Sequence, residues 1–135
     1  MKRLLTVTAV IEAATGLALI AMPSIFVRLL LGSPLGTYDA VVLGRITGAA
    51  LFALGVACWF ARYDAKSNAA RWLVSAMFVY NLCTTVIIGV GGIWSRPVGI
   101  GLWPAVVLHA AMTIWCVACL AAQAPIYDDD DRRAS

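Results

Sequence analysis

Charge is what this sequence has least of. Only 13% of its 135 residues are Asp, Glu, Lys or Arg, about half the share carried by an ordinary soluble domain. The net charge of +3 is scattered along the chain and makes no basic face, so no nucleic-acid partner is expected. Histidine occurs once, which excludes a multi-histidine haem or di-metal site within the chain. Alternating apolar and polar runs are missing, so strands are not expected. Also missing are a Gly-rich phosphate loop ending in Lys-Ser/Thr, a GxSxG, an HExxH and paired CxxC motifs. Neither enzyme chemistry nor a cofactor or metal is therefore expected.

What remains is apolar. Hydrophobic residues make up 62% of the chain and the mean hydropathy is +0.89. A hydrocarbon core of about 30 Å needs about 20 such residues in a helix. Residues 4–22, 40–61, 72–90 and 102–122 each qualify. In lipid a single segment satisfies its own backbone polar groups only as a helix. The expected fold is an all-α integral membrane domain over residues 1–124, a bundle of four transmembrane helices. Residues 23–39 read as an interfacial segment, with Ile25, Phe26, Leu29 and Leu30 near Arg28. Residues 125–135, with Asp128 to Asp131 followed by Arg132 and Arg133, read as a solvated acidic tail.

Orientation follows from the cations. Lys2, Arg3, Arg62, Lys66, Arg71, Arg132 and Arg133 would lie on one side, against Arg28 and Arg96 on the other. The positive-inside rule then places both termini in the cytoplasm of a bacterial inner membrane. Trp59, Phe60, Tyr63 and Trp72 would mark the inner interface, and Trp94 and Trp103 the outer one. The basic start Met1-Lys2-Arg3 resembles a signal peptide. Glu12 interrupts the apolar run, however, and no small-x-small site precedes Pro23, so the first span is expected to be retained.

Ionisable residues within a span are costly and face the bundle interior or water. Glu12 in the first span and Arg45 in the second are the clear cases, close enough in depth to pair if Arg45 points inward. Asn81 in the third span and His109 in the fourth could join them around one cavity opening outward. The cluster reads either as a hydrogen-bonded lock on helix register or as a ligand or proton site. Gly44, Gly48 and Gly55 suit close helix packing. Thr15-Gly16-Leu17-Ala18-Leu19 repeats weakly as Thr47-Gly48-Ala49-Ala50-Leu51, too short for an inverted-repeat transporter. Cys116 and Cys119 form one CxxC within an apolar helix, read as small buried hydrophobes ahead of a redox pair.

The order of these features carries a resemblance. Glu12 and Gly16, then Pro23, Leu29-Leu30-Leu31-Gly32, and the segment from Gly44-Arg45-Ile46-Thr47-Gly48 to Gly55, with Asn81 and His109 later, resemble small four-helix bacterial membrane proteins loosely related to the DoxX-like family. The resemblance implies a four-helix membrane bundle and no particular reaction. A membrane-embedded Glu in the first of four spans is also similar to the small multidrug transporters. Tyr80-Asn81-Leu82-Cys83 replaces the Trp-Gly segment expected there, and Arg45 would oppose a cation. The leading expectation is a non-enzymatic accessory subunit of a larger membrane complex, or a small hydrophobic-ligand-binding component, alone or as a homo-oligomer in the lipid bilayer. A proton-coupled secondary transporter using Glu12 is the alternative, and a membrane thiol-redox protein the third.

Overall fold

A computed structural model describes residues 1–94 and 98–123. The acidic tail at 125–135 and Arg96 lie outside the described residues. Five α-helices follow one another: α1 Lys2–Ala21, α2 Pro23–Leu31, α3 Tyr38–Ala61, α4 Asn68–Trp94 and α5 Leu102–Ala121, with a 3₁₀ turn at Arg62–Asp64. Four of them, α1, α3, α4 and α5, are long and apolar enough to cross a membrane. The shortest of these have 20 residues, or about 30 Å of helix.

The ends of these helices have local causes. The α1 helix stops at Pro23, which has no amide proton to extend it and instead opens α2 in its first turn. The first part of the interfacial segment is thus a nine-residue helix. It ends at Gly32, whose φ of 87° is a conformation that residues with a Cβ seldom adopt. Thr37 caps α3 by accepting a hydrogen bond from the Ala40 amide at 3.2 Å, so the helix begins at Tyr38, two residues ahead of the expected start. Ser67 caps α4 in the same way, accepting from Ala70 at 3.2 Å. At its far end α4 runs through Gly91 and Gly92 to Trp94, past the expected stop at residue 90. Glycine breaks helices where water takes over the freed backbone groups, and lipid supplies none.

Packing is closest within two pairs, α1 with α3 and α4 with α5. Small residues make the first seam. A Cβ on Gly16 would lie 2.6 Å from the Gly48 carbonyl, and one on Gly55 would lie 2.8 Å from the Ala13 amide. The two Thr-Gly segments of the weak repeat therefore meet face to face. Gly44 stands apart from this seam, against Pro23 and Leu35. Between the pairs the contacts are longer side chains. Leu4, Leu5 and Ala9, Cys58, Ala70, Val74 and Met77, and Met112 and Cys116 form one buried cluster from all four long helices. It occupies the end of the bundle where α1 begins and α5 finishes. The sides of the bundle expose Val10, Leu43, Ile46, Val79, Ile87, Val107 and Ile114, an apolar surface suited to lipid and not to water.

Candidate functional site

Just beyond the apolar cluster, at mid-length of α1 and α4, lies a polar layer. Glu12 is only 3% exposed and Asn81 only 1%. The Tyr80 hydroxyl donates to Glu12 Oε2 at 3.5 Å, joining α4 to α1. The Asn81 Nδ2 donates to the Met77 carbonyl at 2.8 Å. Its Oδ1 lies 2.8 Å from Nδ1 of His109, joining α4 to α5. The Tyr80 and His109 rings meet edge to face with centroids 5.7 Å apart. Three helices are thus tied through four neighbouring side chains.

The hydrogen bonds fix the chemistry of the imidazole. Turning the Asn81 amide over would set Oδ1 against the Met77 carbonyl, two acceptors face to face. The amide is held in the orientation described, with Oδ1 towards the ring. An amide oxygen only accepts, so Nδ1 of His109 carries a proton. In a neutral ring that leaves Nε2 with its lone pair. Thr8 lies one helical turn before Glu12. Thr6, Thr47, Thr85 and Thr113 each donate to the carbonyl four residues back. Thr8, 2% exposed, leaves its hydroxyl without a partner among the described residues.

Arg45 does not belong to this group. The inward face of α3 carries Gly48, Leu51, Gly55 and Cys58, and Arg45 is turned away from it and exposed. It is also distant along the axis. Gly55 packs at Ala9 and Ala13 of α1, the level of Glu12, and Arg45 lies ten residues before Gly55, about 15 Å of helix. The Glu12–Arg45 pair required Arg45 to point inward; it does not, and Glu12 is bonded to Tyr80 instead. The outward-opening cavity is corrected too, because Glu12 and Asn81 are sealed inside the bundle. Asn81 and His109 do come together as the sequence suggests. Tyr80 was missed as a site residue. Its signal was a hydroxyl at mid-span, which must find a partner when buried.

Of the other features, Cys58 and Cys116 are fully buried core residues, Cys119 is half-buried and Cys83 exposed, all as free thiols. Among the described residues no three His, Cys, Asp or Glu side chains gather to hold a metal. An apolar groove of about 550 Å³ runs along the outside of the α1/α3 pair. Ala9, Ala13 and Gly55 lie on its floor, with Ala14, Trp59 and Phe60 among its walls. No protein-family model, curated protein or solved structure matches the chain.

Proposed function

We propose that this is a non-enzymatic, multi-pass protein of a bacterial inner membrane, with both termini cytoplasmic, that binds a small hydrophobic ligand. It would do so alone, as a homo-oligomer or as the accessory subunit of a larger complex, in the manner of a distant relation of the DoxX-like proteins. The observation that carries this reading is the α1/α3 groove. Its volume of about 550 Å³ lies within the usual range of about 300–1,000 Å³ for small-molecule sites. Its mouth faces the side of the bundle, where an apolar ligand arrives through lipid. The glycine seam beneath it holds α1 against α3, so the groove keeps its shape, and the polar layer ties α1 to α4 and α4 to α5 behind it.

Native mass spectrometry of the protein extracted gently from its own membranes tests this. A retained small molecule is expected, and Ala14→Phe, which fills the groove from its exposed rim, should remove it. Retention of the same mass by the Ala14→Phe variant would overturn the reading. So would a chain that carries only freely exchanging bulk lipid.

Proton-coupled transport through Glu12 stands second. It is favoured by the displacement of Arg45, which leaves the buried carboxyl with Tyr80 and no cation beside it among the described residues. That reading requires proton movement on substrate binding to disappear in Glu12→Gln. Unchanged proton movement in the variant would sink it.

A further inference from the structure

At the end of the bundle where α4 begins, the apolar surface gives way to a polar cleft of about 390 Å³ lined by Lys66, Asn68, Arg71 and Gln123. Two of the four are cations and none is acidic. Asp64 is the nearest acid in sequence, but it is exposed on the preceding 3₁₀ turn and does not line the cleft. The Arg71 guanidinium makes one long hydrogen bond among the described residues, 3.4 Å to the Gln123 carbonyl. A guanidinium has five N–H donors in a fork, so among the described residues most of them are left for a planar or tetrahedral oxyanion.

The position of the cleft in depth narrows the ligand. Tyr63 and Trp72, 70% and 71% exposed, bracket Lys66 and Arg71 in sequence. Arg62 lies 3.2 Å over the Trp59 ring and donates to the Tyr63 hydroxyl. Exposed Trp and Tyr at the end of apolar helices mark the headgroup level of a bilayer. A cationic cleft between membrane helices at that level meets phospholipid phosphates before anything else.

We propose that Lys66, Asn68 and Arg71 form a site for the phosphate of an anionic phospholipid headgroup. The cations supply charge, the Arg71 fork supplies directed N–H donors, and the Asn68 amide supplies a neutral donor beside them. The inference rests on the membrane-spanning reading above but not on the α1/α3 groove.

The test uses the full-length protein in a neutral detergent, titrated separately with phosphatidylglycerol, phosphatidylcholine and inorganic phosphate, with bound lipid read by native mass spectrometry. Phosphatidylglycerol should bind in preference to phosphatidylcholine. Replacing both cations, K66Q with R71Q, should weaken that binding about 30-fold. Removing two cations elsewhere at the same end, K2Q with R3Q, should leave it within a fewfold of wild type. Lys66 is exposed, so K66Q alone reports on the site even if the double variant folds poorly, and it should lose part of the preference. Equal loss in both double variants would reduce the effect to overall charge and overturn the proposal. Saturation by inorganic phosphate with no gain from a lipid tail would make a free anion the ligand, and overturn it too. Carbonate washing of membranes separates the two levels of the argument. A chain that stays in the pellet yet shows no preference among lipids fails only the headgroup site. A chain that washes off fails the membrane reading itself.

Discussion

Asn81 is one residue whose two hydrogen bonds decide the state of another. Its Nδ2 is occupied by the Met77 carbonyl, so its Oδ1 faces His109 and demands the proton on Nδ1. Because the chain has a single histidine, nitrogen-15 labelling of the imidazole reports on this site alone. The wild type should show the Nδ1–H form. Asn81→Leu should let the ring move towards the commoner Nε2–H form and should cost about 1 kcal/mol of stability, the usual size of an interhelical hydrogen bond in a membrane. An unchanged nitrogen spectrum would show that Asn81 does not set the tautomer. A second prediction at this scale concerns Glu12 and Arg45. With about 15 Å of helix between their levels, their substitutions should add, leaving a coupling energy below about 0.5 kcal/mol in a double-mutant cycle. Arg45→Leu alone should be neutral or stabilising, since it replaces an exposed charge on a helix that faces lipid. The reverse result, a rescue of Arg45→Leu by Glu12→Leu, would restore the ion pair.

At the scale of the helices, the glycines separate by what faces them. Gly48 lies against the backbone of α1, where an added Cβ would stand 2.7 Å from the Gly16 carbonyl and 2.9 Å from the Ile20 amide. Backbone cannot yield as a side-chain tip does, so Gly48→Ala should force α1 and α3 apart and lower the unfolding temperature in detergent. Gly91 has open space around it, and Gly91→Ala should gain up to about 1 kcal/mol from helix propensity. If the two variants melted alike, the seam would not be what holds the pair.

The same elements show what could be read in advance. The four long helices follow from the length and hydropathy of their segments, and Gly48 and Gly55 from their spacing. The rotation of each helix did not, because helices that are apolar all round show no stripe to mark the inward face. For that reason the sequence leaves open whether Arg45 points inward, and nothing in it singles out Tyr80 as the partner of Glu12. Gly91 and Gly92 point to an earlier stop for a different reason, since the helix-breaking tendency of glycine belongs to water, and α4 runs on to Trp94.

For the molecule as a whole, the start of α1 and the end of α5 share one apolar cluster, which holds Leu4, Leu5 and Cys116 with Leu120 packed against it. Four crossings of a bilayer would return the chain to the side it left. Reporter fusions at the N-terminus and after α5 should then both score cytoplasmic, on the side with Lys66 and Arg71. Opposite scores would remove one crossing and leave α2 and its neighbours to be reassigned.

The uneven spacing of the helices has a mechanical consequence. The α1/α3 pair touches backbone to backbone, while the two pairs meet through apolar side chains and, among the described residues, the single hydrogen bond from Tyr80 to Glu12. A chain drawn out of the bilayer from its C-terminus by an atomic force tip should therefore come away in two large steps. The first rupture would free α5 and α4 together, with His109 still bonded to Asn81, and would break the Tyr80–Glu12 hydrogen bond on the way. The second, at higher load, would open the glycine seam between α3 and α1.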